Sequence, residues 1–293
     1  MIVKTPSGFS VEIRKLKGSE ANNLANKRLA RKGVVFDTVL GAITQRVEEA
    51  GPYRFLSSVG GPTRVDWSRV LVCDRFYTLV AARLATYGAE YLFPVQCVAC
   101  EHPFEWELDI ENDIPVYDLP EASREKIAAG ENRFKAEADG RKIAFRLLDG
   151  KAERDAGQRL IEMKGEIVTR SIAARILSVE GIKGKGRFFR DRVNEWLETV
   201  DNDELVELLA SMEAVDGGFE TDHEIQCPKC DRIFEVNIPF EGAPFWMPRS
   251  KSTKAAKAAR PARTMAGRPL DSAETDQDPE ETDQASESSG PKT

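Results

Sequence analysis

Four of the five cysteines fall into two C-x-x-C pairs. One pair opens the stretch CVACEHPFEWELDI at Cys97, and the other opens CPKCDRIFEVNIPF at Cys227, which is 227 minus 97, or 130, residues later. Aligned, both stretches read C-x-x-C-x-x-x-F-E. Two-residue spacing lets a tight turn direct both sulfurs at one ion, and a structural Zn²⁺ needs four such ligands. The favoured prediction is one structural Zn²⁺ per chain, bound by Cys97, Cys100, Cys227 and Cys230.

Two alternatives stay open for these cysteines. Each pair could form half of a separate site that other ligands or a dimer complete, or the thiols could serve without metal or in redox chemistry. A redox C-x-x-C normally opens a helix, whose terminus lowers a thiol pKa, but neither pair is followed by a helical pattern. His102 and His223 lie near the pairs, and we expect them beside the site or on the surface, since four thiolates already close a shell. Cys73, in an apolar helical stretch, is expected in the core.

A second motif is also repeated. PSGFSVEIRKLKG (Pro6–Gly18) and ADGRKIAFRLLDG (Ala138–Gly150) both alternate apolar residues around a Ser-Gly or Asp-Gly turn, which is typical of a β-hairpin. Gly8 aligns with Gly140, an offset of 140 minus 8, or 132, residues. Two motifs that recur in the same order at nearly one spacing indicate a tandem duplication.

The predicted fold class is α+β, with each copy built from a β-hairpin, helices and a zinc knuckle, and with the copies joined at a shared zinc-ribbon-like site. Between hairpin and cysteines, stretches such as VVFDTVLGAITQRVEEAG and IVTRSIAARILSVEG read as helical in period. The proline- and charge-rich bridge suits a linker with a short helix. The predicted boundaries are 1–112 for the first repeat, 113–130 for the linker, 131–248 for the second repeat and 249–293 for a charged tail.

The tail contains almost no large apolar residue and is therefore expected to be disordered. It is basic from Arg249 to Arg268 and acidic from Asp271 to Glu287. It holds 8 basic and 8 acidic residues, so residues 1–248 retain 42 minus 8, or 34, basic and 49 minus 8, or 41, acidic residues. The predicted folded part is thus net negative.

Neither membrane insertion nor catalysis is expected. The longest apolar runs are broken by charges well short of the ~20 residues of a membrane helix, and the N-terminus lacks a signal pattern, so we expect a cytoplasmic protein. The glycine groups SVGGP (Ser58–Pro62) and GIKGKGR (Gly181–Arg187) lack the phosphate-loop frame. The chain has two histidines, both near the cysteines, so it offers few residues that could act as the base in nucleophilic catalysis. The chain is therefore not predicted to be an enzyme or to take a small-molecule substrate.

The closing segment contains five short motifs in the order DGRKIAFRLLDGKAE, RFFRDR, CPKC, VNIPF and PFWMP. In this order they resemble the T4-type phage baseplate and tail assembly family: a hairpin, an R-(F/Y)-x-R helix start, a CP-x-C knuckle, a strand ending in proline and an aromatic terminus. The resemblance covers 131–248, and reaches the first copy only through the internal repeat. Asp231 departs from the pattern, because a glycine is common there.

The resemblance implies a non-enzymatic assembly chaperone or baseplate component that binds other phage tail or baseplate proteins. It would act in the cytoplasm of the bacterial host or be incorporated into the virion. Phe245 and Trp246 have two open interpretations, as a contact for a partner protein or as a pin that holds the last segment onto the domain. The alternative function is a zinc-ribbon protein that binds nucleic acid or takes part in transcription. The net negative folded part argues against nucleic acid, whose backbone attracts basic surfaces.

Overall fold

The computed structural model describes residues 1–56, 64–162, 167–240 and 243–246. Its helices and strands confirm the α+β class, and Met1–Pro248 forms one compact unit. The predicted disordered tail and the Ser58–Pro62 glycine group lie outside the described residues. In the described part of the chain, no helix is long and apolar enough to cross a membrane.

The first half contains a three-stranded antiparallel sheet, three helices, a long central helix and a hairpin. In chain order these are β1 (Ile2–Lys4), β2 (Ser10–Ile13), α1 (Gly18–Leu24), α2 (Lys27–Arg31), α3 (Val35–Ile43), β3 (Thr44–Glu49), a 3₁₀ turn (Trp67–Arg69), α4 (Val72–Tyr87), β4 (Glu90–Gln96) and β5 (Pro103–Asp109). The central strand of the sheet is β2, and β4 pairs with β5.

The connection and the second half repeat much of this order. The connection contains β6 (Val116–Tyr117) and α5 (Glu121–Ala129). The second half contains β7 (Phe134–Ala138), β8 (Arg141–Phe145), α6 (Gly150–Glu162), α7 (Ile167–Arg175), β9 (Ile176–Val179), α8 (Gly186–Leu197), α9 (Asn202–Glu213), β10 (Gly218–Phe219), β11 (Asp222–Gln226), β12 (Ile233–Asn237) and α10 (Ala243–Trp246). Its sheet has the order β7-β8-β9, and β11 pairs with β12.

The helical prediction was wrong where each half adds its third strand. α3 ends at Ile43 and β3 begins at the next residue, just as α7 ends at Arg175 and β9 begins at Ile176. Glycine or proline often marks such a boundary, but Gly41 lies inside α3, two residues before its end, and the second junction has neither residue close to it. The spacing of the apolar residues therefore continues across the boundary between helix and strand and does not indicate where the strand begins.

The third strand of each sheet pairs in the same register, whereas the two hairpins differ by one residue, with Val3 opposite Val11 but Ala136 opposite Ile143. Ile13 lies opposite Thr44 in the first half, and Phe145 lies opposite Ile176 in the second, so both partners are offset by 132 residues. An irregularity in the ladder precedes this pair in both sheets. The first hairpin turns at Gly8 with φ +85°, and the second turns at Gly140 with φ +62°. Both glycines supply the left-handed backbone that the sequence predicts for these turns.

The connection contacts both halves. α5 is the short helix expected there, but β6 also pairs with β10, with Val116 opposite Phe219. The backbone N–H of Leu119 donates to the carbonyl of Pro6 at 3.0 Å. Residues 113–130 thus do more than join the halves, because they add a strand to the second and a hydrogen bond to the first.

The halves also meet at a tight backbone contact between α4 and α6. The N–H of Val72 donates to the carbonyl of Leu148 at 2.9 Å, and the N–H of Gly150 donates to that of Val70 at 3.1 Å. A Cβ on Gly150 would lie 1.1 Å from the Arg75 guanidinium. It would also lie 2.9 Å from the backbone carbonyl oxygen of Trp67, so any larger residue here would have to displace both Arg75 and the backbone.

α4 is buried along most of its length and carries polar groups into the core. Cys73 is buried there, as expected. The carboxylate of Asp74 accepts a hydrogen bond from the backbone N–H of Ser7 at 3.0 Å, another from the Ser7 hydroxyl, and a third from the Tyr53 hydroxyl at 2.5 Å. Because a buried carboxylate is costly unless it is satisfied, these donors fix the first hairpin turn against α4.

Candidate metal centre

Each cysteine pair lies in the turn of an antiparallel hairpin. Gln96 and Pro103 are the last paired residues of β4 and β5, and Gln226 and Ile233 are those of β11 and β12. The C-x-x-C pairs therefore stand at hairpin turns and do not open helices. This geometry is compatible with a metal knuckle and lacks the helix that a redox pair normally uses.

The two turns have matching hydrogen bonds. The N–H of Cys97 donates to the carbonyl of His102 at 3.0 Å, and the N–H of Cys227 donates to that of Arg232 at 2.9 Å. Each partner lies five residues beyond the first cysteine of its pair. The turns thus present their sulfurs in the same way, although they share few residue types besides cysteine.

The residue after each second cysteine has a left-handed backbone. Glu101 has φ +57° and Asp231 has φ +56°. Their N–H groups donate to the carbonyls of Cys97 and Cys227, both at 3.0 Å. This conformation favours glycine, the residue that the family resemblance leads us to expect at Asp231, and aspartate tolerates it better than most residues.

The two turns bring all four sulfurs together. The Sγ atoms of Cys97 and Cys230 lie 3.7 Å apart, as do those of Cys100 and Cys227. All four lie within 4.8 Å of one another. Tetrahedral zinc with Zn–S bonds of about 2.3 Å sets its sulfurs about 3.8 Å apart, so this cluster fits the ion. The arrangement is compatible with a metal site.

The sulfur pairing is reciprocal between the halves. Cys97 and Cys227 are equivalent, as are Cys100 and Cys230, and the first cysteine of each turn contacts the second of the other. A local twofold axis relating the two turns would produce this reciprocal contact. Neither turn alone contains more than two of the four sulfurs.

The surroundings shift the pKa values of two of the thiols in opposite directions. The backbone N–H groups of Cys100 and then Ala99 lower the pKa of Cys97 to about 6. For Cys230 the N–H of Arg232 acts to lower the pKa, but the neighbouring thiols, Cys100 first, together raise it to about 12. Four thiolates this close repel one another, so a bound dication would favour their joint ionisation.

The ends of the hairpins far from the cysteines are tied together. The hydroxyl of Tyr91, at the start of β4, donates to the carbonyl of Pro239 after β12 at 2.6 Å. The buried guanidinium of Arg83 donates to the carbonyl of Glu90 at 2.6 Å and to that of Gly88, and it lies 5.6 Å from the centre of the Tyr91 ring. The hairpins are therefore positioned from both ends.

Phe245 and Trp246 belong to this anchoring region. Both side chains are buried, Phe245 completely and Trp246 to 5% exposure. The Phe245 ring packs edge-on against Tyr91 at 5.1 Å, and Trp246 lies 5.9 Å from Phe36. As placed, neither offers surface to a partner, and their surroundings match the interpretation in which they pin the last segment.

The histidines stand apart from the sulfur cluster. The His102 ring stacks on Phe104 at 6.3 Å, and His223 lies in β11 opposite Val236. Among the described residues, the ligand cluster contains cysteines alone. Sequence patterns did not indicate Arg83 or Asp74 as anchoring groups, since a charged residue within an apolar helix carries no sign of what it will contact.

The chain was compared with known proteins in three ways. A family model described as T4 bacteriophage base plate protein matches residues 60–242, which is more than half of the chain and includes both cysteine pairs. Searches of curated proteins and of solved structures returned no match.

Proposed function

Because the chain belongs to the T4 bacteriophage base plate protein family, we propose that it is a non-enzymatic baseplate component or assembly chaperone. It acts by binding other phage tail or baseplate proteins. Synthesis in the host cytoplasm and incorporation into the virion both fit this role. The match over residues 60–242 is the observation that carries the proposal, and it agrees with the resemblance in the second half.

The metal role that best fits the site is structural. The four sulfurs fit one tetrahedral Zn²⁺, and a Cys₄ shell leaves no open position for a substrate. One ion bound in this way would fasten two segments that are 227 minus 100, or 127, residues apart in the chain. The zinc would therefore hold the two halves in one orientation and stabilise the surfaces that bind partners.

A tandem duplication accounts for the site. The proposal is supported by the shared register of the third strands at an offset of 132 residues and by the matching turn hydrogen bonds at an offset of 130. In this history, each copy brought one knuckle, and the twofold relation of the copies completed the shell. The repeat boundaries near 112 and 131 follow from the same correspondence.

The role is tested by recovering the tagged full chain from phage-producing cells and identifying the proteins bound to it. We expect baseplate or tail proteins, with recovery reduced in Cys97→Ser and retained in the control Cys73→Ala, which changes the cysteine outside the cluster. Recovery of nucleic acid or transcription proteins in place of tail proteins would contradict the proposal. If the metal-free Cys97→Ser variant recovers tail proteins equally well, the baseplate role does not depend on zinc.

A further inference from the structure

The four cysteines of the cluster differ in their exposure to solvent. Cys97 and Cys227, the first cysteines of the two turns, are buried, with 1% and 0% exposure. Cys100 is half-buried, whereas Cys230, its equivalent in the second turn, is exposed. The cluster is reciprocal between the halves in its sulfur contacts, but it is open to solvent chiefly at Cys230.

The chain on both sides of Cys230 is exposed as well. The two residues before it and the two after it are all exposed, namely Pro228, Lys229, Asp231 and Arg232. The first turn differs at His102, the equivalent of Arg232, which is half-buried and stacks on Phe104. The second turn is therefore the more open of the two, and a small solute can approach it from solvent.

Exposure decides which sulfur of a zinc-bound cluster an oxidant reaches first. Zn²⁺ binds cysteine as the thiolate, and the thiolate is also the form that reacts with oxidants. All four sulfurs are thiolates when the ion is bound, so their state of protonation does not distinguish them. Among thiolates, the accessible one is oxidised first, and here that one belongs to Cys230.

A second sulfur stands close enough to complete an oxidation that begins at Cys230. The Sγ atom of Cys97 lies 3.7 Å from that of Cys230, across the boundary between the halves. A disulfide joins its sulfurs at about 2.05 Å, so the two atoms need to approach by only about 2 Å. An exposed thiolate beside a second cysteine is the arrangement that redox-sensitive sites use.

We propose, on the basis of the structural zinc described above, that Cys230 is an oxidation site at which a peroxide exchanges the zinc for a disulfide between the halves. The Cys230 thiolate attacks one oxygen of hydrogen peroxide, and the O–O bond breaks to give a sulfenic acid on Cys230 and a hydroxide. The Cys97 thiolate then attacks the oxidised sulfur. The S–O bond breaks, the S–S bond forms and a second hydroxide leaves. Each thiolate has lost one electron, and the peroxide has gained two.

The exchange changes how the two halves are joined. Two thiolates remain, which is fewer than the four ligands of a structural zinc site, so the ion is released. One covalent bond then links the halves in place of an ion with four ligands, and a thiol reductant reverses it. Because cytoplasm keeps thiols reduced, the zinc form would persist during assembly, and the disulfide form would arise in a particle outside the cell.

The test treats the full chain, once its zinc content is known, with less than one equivalent of hydrogen peroxide. Free thiols are then alkylated, disulfides are mapped by peptide mass spectrometry, and a colorimetric chelator measures the zinc released. Trypsin cleaves after Lys229 and so separates Cys227 from Cys230. We expect a disulfide between Cys97 and Cys230, with one zinc ion released for each disulfide formed.

A matched pair of variants isolates the effect of position. Cys230→His and Cys100→His each replace one sulfur by an imidazole, which Zn²⁺ also accepts as a ligand, at equivalent places in the two turns. Cys230→His should release zinc roughly tenfold more slowly than the wild type, whereas Cys100→His should stay within about twofold of it. Cys73→Ala, which changes the cysteine outside the cluster, should behave as the wild type does.

The possible failures can be told apart. A first disulfide that leaves Cys230 reduced, or equal slowing in the two histidine variants, would overturn Cys230 as the oxidation site. A disulfide between Cys227 and Cys230 would overturn Cys97 as the residue that completes the reaction. A chain that contains no zinc before treatment would contradict the structural zinc itself, which is a different failure from oxidation at another sulfur.

Discussion

The two halves share the register of their third strands and the geometry of their cysteine turns, but they use the helix before the cysteine hairpin in opposite ways. In the first half α4 is buried almost throughout and carries Asp74 and Arg83 into the core. In the second half α8 and α9 bury one face each and leave Phe188 and Val206 exposed. The comparison teaches that the metal ligands and the pairing of the third strand limit change closely, whereas a helix between them can exchange a surface role for a core role.

The largest effect should come from the ligands, where the halves are equivalent. Cys97→Ser and Cys227→Ser should each abolish zinc binding and destabilise the compact unit by several kcal/mol, since structural zinc contributes folding free energy directly. Hydrogen exchange should speed up in both hairpins whichever half is changed. Faster exchange in the mutated half alone would show that the halves bind metal separately. Cys73→Ala should retain the zinc.

The next largest loss of stability should differ between the two halves, because their hairpin turns are held by different contacts. Asp74→Asn places an amide among the donors from Ser7 and Tyr53 and should cost roughly 2–3 kcal/mol in urea unfolding. In the second half, the hairpin turn is fixed by the Trp196 indole N–H, which donates to the exposed Asp139 at 2.8 Å. Asp139→Asn, which keeps the shape of this exposed acceptor and removes its charge, should cost at most about 1 kcal/mol. Equal costs would mean that both turns depend equally on their helices.

An ion pair present in one half alone gives a pH-dependent difference. Arg14 donates to Glu20 and, with Ser19 and the Lys17 N–H, lowers the pKa of Glu20 from 4.5 to about 2. The position equivalent to Glu20 is Ala152, at the same offset of 132 residues. The depressed pKa stabilises the fold fully above about pH 4.5, and this contribution is lost as the pH falls toward 2.

Glu20→Gln keeps the hydrogen-bonding shape and removes the charge. It should lower stability at neutral pH by on the order of 2 kcal/mol, and its difference from the wild type should shrink with acidification. Because both chains contain the same cysteines, the contribution of thiolate protonation cancels in the difference when both are measured at the same metal content. A difference that stays constant from pH 7 to about pH 2 would contradict this role for the ion pair.

The smallest effect concerns the left-handed residues of the two turns. Glu101→Gly should stabilise the chain by about 0.5 kcal/mol, because glutamate is strained at φ +57° and glycine is not. Asp231→Gly should change stability by roughly zero, since aspartate tolerates this region and glycine costs entropy. Thermal unfolding of the zinc-bound forms measures the difference. Destabilisation by Glu101→Gly would indicate that its side chain supports the turn.

Features that depend on residues close together in the sequence were predicted, and features that depend on contacts between distant residues were not. The sulfur cluster was predicted from two spacings, because a C-x-x-C turn has few geometries and four thiolates favour one ion. The strands at Thr44 and Ile176 were missed, since their pairing with β2 and β8 is decided by distant residues. The sequence left the burial of Phe245 as one of two open interpretations and did not indicate the contacts of Arg83, because both depend on how β4, α4 and α10 meet in space.

X-ray absorption at the zinc edge, made on the full chain at known metal content, tests most directly whether the two halves share one ion. We predict one zinc per chain with four sulfur ligands at about 2.3 Å. Two zinc ions per chain, or a shell in which nitrogen or oxygen replaces two of the sulfurs, would contradict a single site built from both halves.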